Sequence, residues 1–259
     1  MPEASPTMEL RMRLFRTAAL LLGFSAVCTA QNAADWNYAG HTGPLVWGKL
    51  SPAYEACSKG HEQSPVDIRG ARLNTALQPI EFHYIAGPVT VENTGRGVIV
   101  HVDPGSYIVA GGARYDLVGL EFHRPSEHSV KGKLADMEVD LVHKSADGKM
   151  AIVAARMSED RGNPNATLAT LWANLPAKPG ASEKITDMVN PGGLLPGDRG
   201  YWTYTGSELT PPCMEGVQWF VFEQIVSVSR EQLRAFSNLY KMNTRSDQDL
   251  HGRRIEANE

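Results

Sequence analysis

Two runs of residues decide the fold class of this chain: LVGLEFH at positions 117–123 and MEVDLVH at positions 137–143. Both have the length of a strand and a high content of β-branched, aromatic and other apolar residues. Similar runs recur from residue 80 onward, separated by turn signals such as Asn93-Thr94-Gly95 and Asp147-Gly148. The predicted strands are Ile80–Tyr84, Val89–Glu92, Val98–Val102, Ser106–Val109, Leu117–His123, Met137–His143 and Ala151–Met157.

Helices are few in this pattern. One helix is predicted over Thr167–Leu175 and another over Ser229–Tyr240, where Ser229 and Gln232 have the spacing of a capping box. With many strands, few helices and no internal repeat, the chain is predicted to form one mainly β domain of the α+β class over residues 31–259. The Pro- and Gly-rich stretch Asn190–Gly200 is predicted to be a surface loop of that domain.

Composition narrows the class of protein. The chain has 259 residues, 42% of them hydrophobic, which is enough to bury one sizeable core. The formal net charge of −4 argues against a nucleic-acid partner, since such proteins usually carry a basic surplus. No apolar run reaches the roughly 20 residues that a transmembrane anchor needs.

The beginning of the chain has the layout of a secretory signal peptide. Arg11, Arg13 and Arg16 precede the apolar run Ala18–Val27, and the small residues Thr29 and Ala30 follow it. We therefore predict a signal peptide over residues 1–30 and a periplasmic or secreted protein. The alternative is a short buried helix.

The cysteine count agrees with export. Cys28 leaves with the predicted signal peptide, so Cys57 and Cys213 remain as an even pair. An oxidising compartment allows such a pair to form a disulfide, and the alternative is two unrelated buried thiols.

Several strings occur in order along the chain: Trp36–Tyr38, Gly43–Trp47, Gln63–Ile68 (QSPVDI), Pro125–Lys133 (PSEHSVKGK), Leu141–Lys144, Leu194–Pro196, Tyr201–Ser207, Thr210–Cys213 and Val228–Leu233. Read together, they resemble the α-carbonic anhydrases, and bacterial members of that family have a disulfide at the positions of Cys57 and Cys213. The resemblance implies a large, twisted, mostly antiparallel central sheet with a few surface helices. It also implies a conical pocket for a small molecule.

The zinc site of that family is altered in this chain. The family binds zinc with a His-x-His pair on one strand and a third histidine on a neighbouring strand, and strand alternation points the pair into one pocket. Glu121, His123 and Asp140 stand at these positions, so one histidine and two carboxylates are the candidate metal ligands. Glu138 matches the glutamate that supports the third histidine, whereas Gly119 replaces the glutamine that supports the first.

The residues around this set are altered as well. Leu209 stands where a threonine of the family orients the attacking hydroxide, and a leucine side chain accepts no hydrogen bond. Arg96 follows the turn where the family has a proton-shuttle histidine, and it stays protonated at neutral pH. Glu127 matches the glutamate that orients the missing threonine. The candidate catalytic residues are Glu127, Glu208 and Thr210, and the candidate pocket residues are Tyr38, Asn93, Arg96, Val142, Leu209 and Trp219.

With one histidine and two carboxylates as candidate ligands, two alternatives remain for the cofactor: a divalent metal, or no cofactor. Two carboxylates partly neutralise a divalent metal, so its bound water is a weaker acid than with three neutral imidazoles. Oxygen ligands also widen the choice from zinc to other transition metals. Without a metal, crowded carboxylates raise the pKa of at least one of them, which suits either general acid–base chemistry or a cationic ligand.

Three functions remain open from the sequence. The first is a secreted family member whose rebuilt pocket binds a small molecule or catalyses a different reaction, with little CO2 hydration. The second is a carbonic anhydrase that works with a mixed-ligand metal site. The third is a carbohydrate- or surface-binding module. The sequence carries no signal for an oligomeric state.

Overall fold

Sixteen strands are present in the computed structural model, which describes residues 34–159 and 163–258. They are β1 (Asp67–Ile68), β2 (Arg72–Leu73), β3 (Glu81–His83), β4 (Gly87–Asn93), β5 (Val98–Val102), β6 (Tyr107–Ala110), β7 (Ala113–His123), β8 (Ser129–Val130), β9 (Lys133–Leu134), β10 (Met137–Lys144), β11 (Met150–Glu159), β12 (Ser182–Val189), β13 (Tyr201–Ser207), β14 (Glu215–Phe222), β15 (Val226–Val228) and β16 (Glu256–Ala257). The predicted signal peptide at residues 1–30 lies outside the described residues and stays a prediction.

Short helices connect these strands. The α-helices are α1 (Trp47–Leu50), α2 (Ala56–Lys59), α3 (Ala166–Ala173) and α4 (Arg230–Leu239), and 3-10 helices lie at Gly40–Thr42, Pro44–Val46, Pro52–Tyr54 and Pro191–Leu194. The two predicted helices are confirmed as α3 and α4, and α4 begins with the predicted capping box of Ser229 and Gln232. None of the described helices has the length and apolar character that crossing a bilayer takes.

The predicted surface loop Asn190–Gly200 is wrong in its first half. Pro191–Leu194 forms a 3-10 helix, and Leu194 and Leu195 are buried in the main hydrophobic core. The cause is the pair of leucines, because burying two large apolar side chains outweighs the turn-forming tendency of the neighbouring Pro and Gly residues.

The strands form a large sheet of thirteen strands and a small sheet of three. The order in the large sheet is β12-β4-β5-β7-β10-β11-β14-β13-β16-β2, with β6 and β3 continuing beyond β7 and with β15 beside β11. Most neighbours are antiparallel; the parallel pairs are β11 with β14, β11 with β15, and β16 with β2. The predicted mainly β fold with a mostly antiparallel sheet is confirmed. The strands β7 and β10 lie at its centre.

The two faces of the sheet carry two separate cores, which the side chains of β11 divide between them. Val153 and Ala155 belong to the larger core, together with the apolar side chains of α3 and α4. Ile152 and Ala154 belong to the smaller core on the opposite face. Asp140 on β10 is the cross-strand partner of Ala154, so its side chain lies on the face of the smaller core. The candidate site therefore sits against this second core.

The predicted disulfide between Cys57 and Cys213 is present. Cys57 lies in α2 and Cys213 lies 156 positions later, in the loop before β14. Both pack with the buried rings of Tyr38, Trp47 and Tyr54 in a third, small cluster. The bond thus ties the helical segment near residue 50 to the loop that carries Glu208 and Thr210.

We expect that replacing both cysteines, C57A/C213A, lowers the free energy of unfolding by up to about 5 kcal/mol. The reason is that the bond joins two residues 156 positions apart, and the long loop it closes lowers the conformational entropy of the unfolded chain. Denaturant unfolding of the oxidised wild type, the reduced wild type and the variant measures this loss. The reduced wild type should match the variant, and a loss below about 1 kcal/mol would contradict the expected role of the bond.

We also expect His143 to make the fold sensitive to acid. His143 on β10 is buried, its Nε2 lies 2.8 Å from Tyr84 Oη, and burial lowers its pKa to about 4. An unfolded histidine has a pKa near 6.5, so between about pH 6.5 and 4 only the unfolded chain takes up the proton, and stability falls as the pH falls. The shift corresponds to about 3 kcal/mol. The destabilisation caused by H143Q at pH 7 should shrink by about that amount at pH 4; a pH-independent difference would contradict it.

Candidate functional site

The register of β7 and β10 brings the candidate ligands together. Asp140 lies directly opposite Glu121, and Glu138 lies directly opposite His123. Residues two apart on a strand share a face, so all four side chains project from the same side of the sheet. This is the arrangement that strand alternation predicted.

The distances within the set are short. His123 Nε2 lies 3.5 Å from Asp140 Oδ2 and 4.0 Å from Glu121 Oε2. The side chains of His123 and Asp140 are 3% and 1% exposed, whereas that of Glu121 is 38% exposed. Even so, across residues 34–159 and 163–258 no group of three or more His, Cys, Asp or Glu side chains has an arrangement that could hold a metal ion. The three residues meet, and their role as metal ligands stays a prediction.

His123 is held by acidic and carbonyl groups on its inner side. Its Nδ1 lies 3.0 Å from Glu127 Oε1 and 3.1 Å from the Asn243 carbonyl oxygen. Burial alone lowers the pKa of His123, but the nearby carboxylates, Glu127 first, reverse this and raise it to about 10. The carboxylates around the ring therefore favour its imidazolium form. The ring must release a proton before either nitrogen can bind a metal.

Asp140 is the least satisfied polar group of the site. Neither Oδ1 nor Oδ2 has a hydrogen-bond partner, although both oxygens are buried. Burial and then the charge of Glu138 raise the pKa of Asp140 well above its usual range. Burial also raises the pKa of Glu208, with Glu121 adding to the effect. A carboxyl group with a raised pKa beside other carboxylates is an arrangement used for proton transfer.

Glu127 has a changed set of partners. Its Oε2 accepts a hydrogen bond of 3.0 Å from the backbone N–H of Arg245, while its Oε1 has no well-formed hydrogen bond and faces His123. Leu209, at the position where the resemblance expects a hydroxyl group, is buried in the smaller core. The leucine side chain offers no hydroxyl group there, and Glu127 Oε1 faces only the His123 ring.

Glu138 belongs to a separate buried network behind the site. His128 Nδ1 lies 2.8 Å from Glu138 Oε1, and His128 Nε2 lies 2.8 Å from Tyr204 Oη. Burial raises the pKa of Glu138, but the His128 ring and backbone N–H bring it below its usual range. Arg156 on β11 is the cross-strand partner of Glu138. Glu138 thus keeps a supporting position, with His128 as its partner.

Two adjacent cavities lie over these residues. The outer cavity has a volume of about 260 Å³, and its lining includes Trp36, Tyr38, Arg96, Glu121, His123 and Thr210. The inner cavity has a volume of about 60 Å³ and is lined by Glu121, Asp140, Val142, Met150, Ile152, Glu208, Leu209 and Thr210. Glu121 and Thr210 line both, so they form the boundary between the two cavities.

Four of the six predicted pocket residues, Tyr38, Arg96, Val142 and Leu209, line these cavities, and Asn93 and Trp219 do not. Asn93 is buried, and its amide donates to the Pro176 carbonyl oxygen at 2.8 Å, which holds the turn after β4. Trp219 is buried on β14, donates to the Ser207 carbonyl oxygen at 3.0 Å and packs beside the His128 ring. Both therefore support the pocket from behind.

Arg96 and Gly119 are the two other positions where the sequence departs from the family pattern. Arg96 stacks on the Trp36 ring, with its guanidinium carbon 4.4 Å from the ring centroid, and its Nη2 lies 3.6 Å from Asp35. It is thus a fixed cation at the wall of the outer cavity. At Gly119, an added Cβ would lie 3.0 Å from the Val100 carbonyl oxygen of the neighbouring strand. This close approach leaves little room for a supporting glutamine.

A closing segment, residues 243–248, completes the site from outside the sheet. Asn243 donates its amide to the Phe122 carbonyl oxygen at 2.8 Å and offers its own carbonyl to His123. The guanidinium of Arg245 is buried and donates to oxygens of Cys57, Gln63 and Ser64. The roles of Asn243, Arg245, His128 and Trp36 were not predicted, because no local pattern in the sequence pairs residues so far apart.

Comparison with known proteins gives consistent matches. A family model described as eukaryotic-type carbonic anhydrase matches residues 42–259. Carbonic anhydrase of Pectobacterium carotovorum is 36% identical over 238 residues, covering 92% of this chain and 96% of that protein. The α-carbonic anhydrase of Thermovibrio ammonificans, solved with the inhibitor sulfanilamide, has a TM-score of 0.84 at 36% identity, over 87% of this chain and all of that one. Dioscorin complexed with ascorbate has a TM-score of 0.79 at 29% identity, covering 86% and 97%.

Proposed function

Since the chain belongs to the eukaryotic-type carbonic anhydrase family, we propose that it is a secreted member whose pocket binds a small molecule and does not sustain fast CO2 hydration. The observation that carries this proposal is the chemistry of the residues at the ligand positions. Glu121 and Asp140 occupy two of them, and His123 at the remaining one lies 3.0 Å from Glu127 and 3.5 Å from Asp140. This set lacks the neutral nitrogen ligands through which the family binds zinc.

The pocket itself supports binding of a small molecule. An outer cavity of about 260 Å³ lies beside an inner one of about 60 Å³, and the walls combine aromatic rings with a few charged groups. Related proteins hold different small molecules, since sulfanilamide is bound by one and ascorbate by another. The disulfide of Cys57 and Cys213 supports an oxidising compartment, which agrees with the predicted periplasmic or secreted location.

Metal analysis combined with a stopped-flow CO2 hydration assay tests the proposal. The protein is purified without chelator, dialysed against zinc and then assayed beside a related carbonic anhydrase with three zinc-binding histidines. We expect much less than one zinc per chain and a hydration rate at least about a thousandfold below that of the relative, because the zinc-activated nucleophile is missing. Stoichiometric zinc together with fast, sulfonamide-sensitive hydration would overturn the proposal.

A mixed-ligand metal site is the second candidate, and one observation favours it. His123 Nε2 and both carboxylate oxygens of Asp140 are buried without hydrogen-bond partners. A divalent metal, zinc or another transition metal, would satisfy them if His123 lost its proton. In that case a metal such as Mn²⁺ would be retained through purification and lost in H123A, whereas the first proposal predicts that neither protein holds metal.

A further inference from the structure

The inner cavity has an unusual charge for its size. Glu121, Asp140 and Glu208 contribute three carboxyl groups to it, and its other lining residues are apolar apart from Thr210. No Lys, Arg or His side chain is among the residues that line it. The nearest basic groups lie outside: His123 lines the outer cavity, and Lys144 lies near enough to Glu208 to interact with its charge. The ionisable groups that line this cavity are thus all acidic, and Thr210 adds one hydroxyl group.

Asp140 is the carboxyl group in this cavity that lacks hydrogen-bond partners. It is 1% exposed, it lines the inner cavity, and neither of its carboxylate oxygens has a hydrogen-bond partner. His123 Nε2 at 3.5 Å is farther than a normal hydrogen bond, so it does not satisfy Oδ2. Buried carboxylate oxygens in proteins nearly always have a donor. The two oxygens of Asp140 are thus acceptors available to a group that enters the cavity.

The outer cavity indicates what this donor is attached to. It is several times larger than the inner one, and the aromatic residues Trp36 and Tyr38 are among its lining residues. The inner cavity of about 60 Å³ has room for a charged head group with a methylene, and the outer cavity of about 260 Å³ has room for an aromatic or aliphatic body. Glu121 lines both cavities, which places an acceptor at the junction.

We propose that the pocket binds a small organic cation, a primary ammonium on an apolar body, with the ammonium in the inner cavity against Asp140 and Glu121. The proposal rests on the proposed function and names the chemical class of its ligand. An ammonium has a positive charge, three donors and no acceptor, which matches a cavity whose ionisable groups are all carboxyl groups. The aromatic rings of the outer cavity then contact the apolar body. A metal ion fits less well, because the described residues contain no group of three ligands arranged for one.

Three probes of one shape test this assignment in the intact protein by titration calorimetry: benzylammonium, benzyl alcohol and benzoate. We expect benzylammonium to bind at least about tenfold more tightly than benzyl alcohol, which lacks the charge, and benzoate to bind most weakly. E121Q, E208Q and D140N should each weaken benzylammonium at least about fivefold, without changing the weak binding of benzyl alcohol. E183Q, which alters an exposed residue of β12, is the matched control and should bind as the wild type does.

The outcomes separate this inference from the proposed function. Equal binding of benzylammonium and benzyl alcohol, tighter binding of benzoate, or binding of benzylammonium unaffected by E121Q and E208Q would overturn the inference. So would displacement of benzylammonium by stoichiometric Mn²⁺ or Zn²⁺ at micromolar concentration. If D140N does not fold, E121Q and E208Q still decide, since neither residue is fully buried. Fast CO2 hydration would overturn the proposed function itself, and it is measured in a different assay.

Discussion

The triple variant E121H/D140H/L209T is expected to bind one zinc per chain and to hydrate CO2 at least about a thousandfold faster than the wild type. The first two substitutions supply imidazoles at positions 121 and 140, which lie opposite each other on β7 and β10. His123, two residues from position 121 on the same face of β7, completes a set of three histidines. The two substitutions also remove the carboxylates of Glu121 and Asp140, which add to the larger effect of Glu127 in raising the pKa of His123, so that its ring loses a proton more readily. The gain reflects the acidification of water that three neutral ligands allow.

Leu209 makes the matched control for this experiment. The resemblance places the hydroxyl group introduced by L209T opposite Glu127, whose Oε1 has no well-formed hydrogen bond. E121H/D140H without L209T should therefore bind zinc equally well but turn over about tenfold to a hundredfold more slowly, because the attacking group is less well oriented. E121Q/D140N removes the same charges without supplying ligands and should gain neither zinc nor activity. Zinc binding by the wild type equal to that of the triple variant would contradict the argument.

The second large effect is on stability: E121Q/D140N is expected to unfold at higher denaturant concentration than the wild type at pH 7. Burial and neighbouring carboxylates raise the pKa of Asp140, so the folded state disfavours its ionised form. Replacing it with an amide removes that cost and lets the side chain donate a hydrogen bond. We expect a gain of about 1–2 kcal/mol in the free energy of unfolding, in the range for relieving one unsatisfied buried group.

The sign of the pH dependence makes this prediction specific. A carboxyl group whose pKa is raised on folding loses stability as the pH rises above the ordinary value for Asp, near 4. The advantage of E121Q/D140N should therefore be small at pH 4, grow as the pH rises and then level off above the pKa of folded Asp140. E183Q is again the control. A metal-binding site predicts the opposite sign, because the variant would then lose two ligands and the stability that metal binding supplies.

Seven of the thirteen strands described for the large sheet were predicted from local pattern, and the long strands β12, β13 and β14 were not. The predicted run 117–123 is the second half of β7, and the predicted run 137–143 is β10 apart from its last residue. Strand alternation also placed Glu121 and His123 on one face, and Glu138 and Asp140 on one face. These features depend on residues that are close together in the sequence, where the two-residue alternation of side chains indicates a strand directly. The leucines of the 190–200 stretch were missed because turn residues surround them.

The partners of the site residues were much less predictable. Glu138 meets His128 and His123 meets the carbonyl of Asn243, yet nothing in the local sequence of either pair indicates the contact. Trp219 and Asn93 have the residue types of pocket walls but are turned into supporting positions by hydrogen bonds to distant carbonyl groups. Such contacts depend on three-dimensional packing, so sequence reasoning gave the positions of the site but not the charge state of His123.

The closing segment has a consequence for the order in which the molecule assembles. Its contacts with the central strands bridge about 120 positions, and those of Arg245 with Cys57, Gln63 and Ser64 bridge more than 180. Loops of that size close slowly, because much chain entropy is lost before any contact is gained. During synthesis, β7 and β10 leave the ribosome well before residue 243 does, and their acidic groups stay hydrated until the closing segment packs against them. The dry environment that sets the protonation of His123 and Asp140 is thus among the last properties that the nascent protein acquires.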